Sequence, residues 1–181
     1  MKNKFAMVLL GMCLIGPVSA QQVQPVSQVD LSRYVGKWYE IARFPNRFQD
    51  DCAKNVTAQY SQRSDGDITV INSCQKADGS LDEVSGRARI ADDGAGAKTN
   101  AKLQVLFAPE WLSWMPFLWA DYWVIDLKQD YSAAVVGGPS RDYLWILSRQ
   151  PHMPEADYEA LVNRATVQGY DTSKLVKTRQ E

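Results

Sequence analysis

The stretch NVTAQYSQRSDGDITVINSC, residues 55–74, decides the fold of this chain. Apolar and polar residues alternate on both sides of the Ser-Asp-Gly run at 64–66. Such alternation predicts strands with one face against a core and the other against water. Asp and Gly between the two runs favour a tight reversal, so the stretch predicts an antiparallel hairpin. The alternating apolar positions are Val56, Ala58, Tyr60, Ile68 and Val70.

The same pattern of short strands and turn residues continues in both directions. Eight strands are predicted, at 36–44, 55–61, 67–74, 83–91, 101–107, 121–127, 131–137 and 143–149. Turn residues at 64–66, 77–79, 92–94 and 138–140 separate neighbouring strands. Eight meandering strands favour an all-β, antiparallel up-and-down barrel, which has no free edges and is wide enough for one small ligand. A β-sandwich is the alternative.

The last two strands indicate what covers the barrel from outside. Residues 133–136 and 143–147 are apolar at successive positions, so both of their faces need cover. Residues 154–168 then place Tyr158, Leu161, Val162 and Ala165 on one helical face. One C-terminal helix is therefore predicted on the outside of the barrel, with a short edge strand at 175–178 behind it.

The N-terminus reads as a signal peptide at residues 1–20. A basic start, an apolar stretch and a small-residue cleavage site after Ala20 form this pattern. Cys13 offers an alternative, lipidation, but the residues before it fit that signal poorly. We therefore predict export to the periplasm or the outer membrane, with a flexible segment at 21–28 and one domain at 29–181. The net charge of −1 and the absence of a basic cluster give no indication of nucleic-acid binding.

Cleavage after Ala20 leaves two cysteines, Cys52 and Cys74. An even pair in an exported chain suggests a disulfide. The two positions are nearly symmetric about the turn at 64–66, so they are expected opposite each other at the far end of the first hairpin. A metal or redox pair is the weaker interpretation, because the spacing is wrong and the chain has one His.

Three regions of the sequence resemble the lipocalin family. Gly36 and Trp38 lie in GKWYEIAR at 36–43, Asp130 and Tyr131 lie between strands six and seven, and Arg149 follows LWILS at 144–148. The match over 29–178 is similar to the group of bacterial outer-membrane lipocalins and apolipoprotein D. The resemblance implies a cup closed at one end, where Trp38 packs under the barrel and the Arg149 guanidinium stacks on its indole.

The inward face of each strand is expected to line the cup. The predicted lining residues are Val56, Ala58, Tyr60, Val84, Leu103, Val105, Phe107, Tyr122, Val124 and Trp145. Glu40 shares the parity of Trp38, and an inward carboxylate is costly without a cation or ligand headgroup. A bulge that turns Glu40 outward is therefore expected.

The loop after strand five, residues 109–119, is unusually aromatic. It carries Trp111, Trp114, Phe117 and Trp119, and alternating strand directions place it at the mouth of the cup. One interpretation is a plug that packs on the barrel. The other is an interfacial loop that contacts a membrane or a partner, because Trp suits the boundary between water and lipid.

These features favour a binding protein for a hydrophobic ligand, a fatty acid or lysophospholipid, with no cofactor and no catalytic or metal-binding residue. His152, the one His, follows Pro151 in a predicted loop without a nucleophile motif beside it. Two alternatives stay open. One is an enzyme acting on a lipid or isoprenoid held in the barrel, and the other is a membrane or protein interaction module that uses the aromatic loop.

Overall fold

The structure, a computed structural model, describes residues 22–91 and 99–181. The predicted signal peptide, Cys13 and the predicted turn at 92–94 lie outside the described residues. Within them the chain forms nine strands, two α-helices and four short 3-10 turns. The strands are β1 (Gly36–Arg43), β2 (Lys54–Gln62), β3 (Ile68–Gln75), β4 (Leu81–Ile90), β5 (Lys102–Leu106), β6 (Ala120–Leu127), β7 (Ala133–Gly137), β8 (Leu144–Ser148) and β9 (Val176–Lys177). The helices are α1 (Leu31–Tyr34) and α2 (Glu155–Val167).

The first eight strands close into a barrel. Each of β2 to β7 pairs antiparallel with the next strand, β8 pairs with β1, and β1 also pairs with β2, which closes the barrel. The predicted fold class, an eight-stranded up-and-down barrel with a C-terminal helix outside it, is confirmed, and the sandwich is excluded. β9 adds to β1 at Ala42 and Arg43, which confirms the predicted edge strand.

Alternation along the strands separates two apolar clusters. In β7, Ala134 and Val136 belong to the cluster inside the barrel, whereas Ala133 and Val135 belong to a cluster on its outer face. Leu161 and Ala165 of α2 pack into this outer cluster. The helix therefore covers the doubly apolar strands, as predicted from their sequence. No helix within 22–91 or 99–181 is long and apolar enough to cross a membrane.

The disulfide between Cys52 and Cys74 is confirmed. It joins the segment just before β2 to the end of β3, with the two Cα atoms 5.5 Å apart. The neighbouring pair of Lys54 and Gln75 is the last of the β2–β3 ladder, at the end away from the hairpin turn. Linking residues 22 positions apart stabilises the fold by about 3 kcal/mol in the chain-entropy model.

Residues 22–28, within the segment predicted to be flexible, form no regular element but make packing and hydrogen-bond contacts with the barrel and α2. Val23 is buried in the outer cluster. The Val26 amide donates to the Val124 carbonyl at 2.9 Å, and the Gln24 amide donates to the Gln168 side chain at 2.8 Å. Two apolar anchors and these hydrogen bonds hold a segment that lacks the periodicity of a strand.

The closed end of the barrel lies where β1 begins and β8 ends. Trp38 is fully buried there, and its Nε1 donates to the Tyr34 carbonyl at 2.8 Å. The Arg149 guanidinium lies 3.8 Å from the Trp38 ring centroid. It also donates to five main-chain carbonyls, those of Arg33, Tyr34, Val35, Lys37 and Tyr131.

Two local features shape the backbone around Arg149: a glycine at position 36 and a turn before β7 that side-chain contacts stabilise. Gly36 has a φ of +101°, and a Cβ there would come within 3.2 Å of the Arg149 side chain, so glycine suits both the backbone and the space. Asp130 accepts from the Ser132 amide at 3.0 Å and so stabilises the turn before β7. Tyr131 in that turn lies under the Arg33 guanidinium at 4.0 Å and accepts from the Asp30 amide.

We predict that Arg149→Met lowers the free energy of unfolding by about 3 kcal/mol. The substitution keeps the length of the side chain but removes the contact with Trp38 and the hydrogen bonds to main-chain carbonyls at the base, three of which are partly buried. Urea unfolding followed by tryptophan fluorescence measures the change. Arg47→Met is the control, because Arg47 is exposed and lies 5.1 Å from the Phe48 ring, and its effect is expected below about 0.5 kcal/mol. Equal stabilities of the two variants would contradict the prediction.

Candidate functional site

The inside of the barrel is a cup whose side chains become more exposed toward one end. Val84 and Phe107 near the open end are 46% and 42% exposed, whereas Tyr60 is 6% and Tyr34 is 1% exposed. The Phe107 ring lies against Gly86, where a Cβ would come within 2.6 Å of it. The barrel is thus filled at the closed end and reachable from the other.

The structure places the ten predicted lining residues in three groups. Val84 and Phe107 lie at the open end, and Val56 is buried on β2 outside both apolar clusters. Seven belong to the inner cluster, either buried or packed against it: Ala58, Tyr60, Leu103, Val105, Tyr122, Val124 and Trp145. Among them, Val124 and Leu103 are 0% and 3% exposed, so they fill the foot of the cup.

Sequence reasoning did not include several inner residues. Besides Trp38, the buried members that were not predicted to line the cup are Val29, Tyr34, Ile68, Val70, Ala88, Ala101, Ala134, Val136 and Leu147. The strand parity of Ile68, Val70 and Ala88 matches that of the predicted lining residues and signals an inward position. Val136 and Leu147 carry no such signal, because their strands are apolar on both faces. Tyr34 lies in α1, before the first strand, where no periodic pattern points to the barrel.

Three tyrosine hydroxyls meet at the foot of the cup. The Tyr122 hydroxyl lies 2.9 Å from that of Tyr34 and 2.9 Å from that of Tyr60. Burial raises the pKa of Tyr60 to about 12 and raises the pKa values of Tyr34 and Tyr122 well above their usual range. All three groups are therefore neutral hydroxyls at physiological pH. We call Tyr34, Tyr60 and Tyr122 the floor of the cup.

The predicted outward position of Glu40 is wrong. Glu40 is 3% exposed and lies opposite Leu147, an inner residue, and residues directly opposite each other share a face. The expected bulge exists, but it falls after Glu40, between Glu40 and Ala42. The extra residue turns Ile41 and Ala42 to the outer cluster and returns Arg43 to the side of Glu40.

Glu40 is inward because Arg43 neutralises it. The Arg43 Nη1 donates to Glu40 Oε1 at 2.8 Å, and Gln49 Nε2 donates to Oε2 at 2.6 Å. Thr178, just after β9, also donates to Glu40. The buried carboxylate thus holds the start of the first loop and the C-terminal segment against β1.

We predict that Glu40→Gln lowers the free energy of unfolding by about 3 kcal/mol, because it leaves the largely buried Arg43 cation without its counter-charge. Thermal and urea unfolding measure the loss. Glu155→Gln is the matched control: Glu155 pairs with Lys177 at 2.7 Å, but both side chains are more than half exposed. That change is expected to cost less than about 1 kcal/mol. A Glu40→Gln protein as stable as the control would refute the role given to this pair.

Aromatic rings lead from the rim into the cup. Tyr143 stacks on Trp145 with ring centroids 5.7 Å apart, and Phe48 in the loop after β1 lies 6.1 Å from Tyr143. The Trp145 Nε1 donates to Gln49 Oε1 at 3.0 Å, which fixes the indole against the inner wall. Tyr143 and Phe48 carried no signal in the sequence, since both lie in loops or at a strand end.

The aromatic loop, residues 109–119, presents most of its rings to solvent. Trp111, Trp114 and Phe117 are 74%, 73% and 78% exposed, although a plug would bury them. Trp119 differs: it is 8% exposed, its Nε1 donates to the Ser113 carbonyl, and Arg89 lies 3.9 Å over its ring. Trp119 therefore anchors the loop, and the other three rings form its exposed surface.

An ion-pair cluster fixes the position of the aromatic loop. Glu110 accepts from Arg63 and from Arg87, each at 3.0 Å, and Arg87 also pairs with Asp67. Because Ala88 faces the core, its neighbours Arg87 and Arg89 lie on the outer face of β4. The loop leaves β5 toward the open end and is held against the outer wall beside β4.

His152 is exposed. Among the residues that the structure describes, no group of three or more His, Cys, Asp or Glu side chains is arranged to hold a metal ion.

A closed barrel with an apolar inside, one open end and a sealed base defines a class of protein that encloses small hydrophobic molecules. The chain belongs to the lipocalin family: the pattern of the Lipocalin-like domain matches residues 29–180. The fold and the family support a function in binding or transport of a small hydrophobic ligand, and lipocalins are generally binding and transport proteins. The disulfide fits an extracytoplasmic location.

Several characterised lipocalins are similar to this chain over most of their length. Temperature-induced lipocalin-1 of Arabidopsis thaliana is 42% identical over 161 residues, which cover 88% of this chain and 84% of that protein. The outer membrane lipoprotein Blc of Escherichia coli K12 is 41% identical over 165 residues, covering 91% and 86%. Apolipoprotein D of Macaca fascicularis is 32% identical over 178 residues, covering 95% and 84%.

A solved structure supports the fold. Insecticyanin from the tobacco hornworm Manduca sexta superposes with a TM-score of 0.65 at 23% identity, covering 90% of this chain and 87% of that one.

Proposed function

We propose that this lipocalin binds a fatty acid or lysophospholipid in its cup and stores or transports it in the cell envelope, without catalysis. The observation that carries the proposal is the gradient of side-chain exposure inside the barrel. Exposure increases from the buried foot of the cup to Val84 and Phe107, which are nearly half exposed. The acyl chain lies along the apolar wall, and its headgroup stays near the open end.

Burial of the acyl chain supplies the affinity. Each CH₂ removed from water contributes about 0.8 kcal/mol, so twelve methylenes contribute about 10 kcal/mol, which offsets much of the freedom lost on binding. The headgroup remains at the open end because burying an unpaired charge is costly. Glu40 and Arg43 already neutralise each other, so this ion pair leaves no unpaired charge on the inner wall.

Three observations support a location of the protein in the cell envelope. The sequence predicts a signal peptide at 1–20, the disulfide suits an oxidising compartment, and the similar Blc proteins are named outer membrane lipoproteins. We therefore place the protein in the periplasm or at the outer membrane, as a cleaved protein or, if Cys13 is lipidated, as an anchored one.

Titration of the delipidated protein with a fluorescent fatty acid tests the proposal. We expect saturable, displaceable binding at micromolar concentrations or below. Ala58→Phe, which adds a ring to the partly open inner wall, is expected to weaken binding about tenfold by filling the space of several methylenes. Thr57→Phe is the control, because Thr57 is the next residue on β2 and points to the outer face. No displaceable binding by the wild-type protein, or equal loss in both variants, would refute acyl-chain binding in the cup.

The exposed rings of the aromatic loop favour a second role, peripheral contact with a membrane. Trp111, Trp114 and Phe117 lie on one loop beside the cationic side chains of Arg63 and Arg87. Trp suits the interface between water and lipid, and such a contact would hold the cup near its lipid source.

The triple variant Trp111→Ser, Trp114→Ser, Phe117→Ser tests this contact. Its binding to vesicles of phosphatidylethanolamine and phosphatidylglycerol is expected to fall more than about tenfold, since each buried ring contributes roughly 1.5–3 kcal/mol. Fatty-acid affinity is expected to stay within about twofold. Val167→Ser, at an equally apolar but isolated position on α2 that is 65% exposed, controls for loss of surface hydrophobicity. Unchanged vesicle binding of the triple variant excludes the loop as the membrane contact.

A further inference from the structure

The floor of the cup is polar, although the wall above it is apolar. Tyr34 comes from α1, Tyr60 from β2 and Tyr122 from β6, and all three belong to the inner cluster. Their side chains are 1%, 6% and 9% exposed, and their hydroxyls form one chain with Tyr122 in the middle. An apolar ligand that reaches the foot of the cup meets hydroxyl oxygens beside the methyl groups of Leu103 and Val124.

The three tyrosine hydroxyls have more hydrogen-bond donors than the two bonds between them use. Each hydroxyl carries one proton, so the three groups have three donors, and the two hydrogen bonds use two of them. The three oxygens have no further hydrogen-bond partner among residues 22–91 and 99–181. Whichever hydroxyls act as donors in the two bonds, one buried O–H therefore has no acceptor among these residues. An unsatisfied buried donor is unfavourable.

The wall above the floor guides a ligand chain to these hydroxyls. Ala58 lies two residues from Tyr60 on β2, on the side of the open end, and Val105 lies two residues beyond Leu103, which pairs with Tyr122. Ala58 and Val105 are only partly buried, whereas the tyrosines of the floor are buried. The spare O–H lies at the buried end of this apolar path.

The charges around the floor favour an uncharged acceptor. The nearest cation, Arg149, is turned away: it stacks on Trp38 and donates to five main-chain carbonyls. A carboxylate at the floor would lose its hydration, and Arg149 does not offset this loss, because at Tyr34 and Tyr60 burial raises the pKa by more than Arg149 lowers it. Burial keeps the tyrosines neutral, because it raises their pKa values, so they act as donors and not as anions.

We infer that the hydroxyls of Tyr60 and Tyr122, with Tyr34 behind them, form a selectivity site that donates a hydrogen bond to an uncharged oxygen at the buried end of the ligand. The ligand class is an amphiphilic chain that carries a ketone or hydroxyl group far from its headgroup. The inference rests on the proposed function, acyl-chain binding in the cup, and specifies which chains bind best.

A series of probes tests the inference. Hexadecanoic acid and hexadecanoic acids with one ketone at successive positions from carbon 9 to carbon 15 compete with a fluorescent fatty acid for the wild-type protein. We expect affinity to peak at one ketone position, where the oxygen reaches the floor. In the double variant Tyr60→Phe, Tyr122→Phe the advantage of that probe over its neighbours falls about tenfold, while hexadecanoic acid binds as tightly as before or more tightly.

Tyr131→Phe is the matched control. It also removes one tyrosine hydroxyl, but that hydroxyl accepts from the Asp30 amide at the closed end and belongs to no part of the floor. Its ketone profile is expected to match the wild type. A flat profile in the wild-type protein, or an equal profile in the wild type and the double variant, overturns the inference while binding of hexadecanoic acid upholds the proposed function. If no probe binds the wild-type protein, the inference and the proposed function are both refuted.

A measurement on the wild-type protein covers the case in which the double variant does not fold. The carbonyl stretch of the bound, ¹³C-labelled ketone probe at the peak position is expected at lower wavenumber than in hexane, because the oxygen accepts a hydrogen bond. A hexane-like stretch overturns the inference.

Discussion

The contacts of Arg149 make the barrel a cup. A strand barrel leaves a ring of peptide groups at each end, and those of the segment that crosses the base have no ladder partner. The Arg149 guanidinium donates to five carbonyls in that region and covers the Trp38 indole. A planar group with five donors can satisfy more carbonyls at once, in a fixed fork geometry, than the three donors of a lysine. Gly36 leaves the space for it.

A sealed base has consequences along the whole interior. With one end closed, the side chains near Trp38 exclude water and pack as an ordinary core, and the opposite end has to admit whatever binds. The floor lies directly above this seal, because Trp38 and Tyr34 pack with ring centroids 5.0 Å apart. The same contact that closes the barrel thus positions the innermost polar groups.

The architecture could be predicted from the sequence because it rests on local patterns. A period of two in Ile68, Val70 and Ala88 assigns inward positions, and the apolar run at 133–136 predicts the cover that α2 provides. The placement of the disulfide followed from its symmetry about one turn. These features depend on neighbours in sequence, so no knowledge of distant contacts was needed.

The details of the site depend on contacts between distant residues, and they escaped prediction. A bulge shifts parity by one residue, yet Ile41 and Ala42 are both apolar, so the pattern contains no mark of the shift that brings Arg43 to the side of Glu40. Likewise, Trp119 differs from Trp111 and Trp114 because Arg89, thirty positions earlier, lies over its ring and because its Nε1 donates to the Ser113 carbonyl. Tyr34 reaches the floor through a four-residue helix that has no amphipathic signal.

Inside the barrel, the apolar wall supplies affinity and the hydroxyls of the floor supply selectivity. An apolar wall distinguishes chains weakly, since one methylene changes binding by only about 1–3 kcal/mol wherever it lies. A buried hydrogen-bonding group discriminates far more strongly, because a ligand that fails to satisfy it leaves it unpaired. A lipocalin lined only by Ala58, Val105 and their neighbours would therefore accept any chain of suitable length. Three neutral hydroxyls at the one depth that only the end of a ligand reaches add selectivity without weakening the hold of the wall on the rest of the chain.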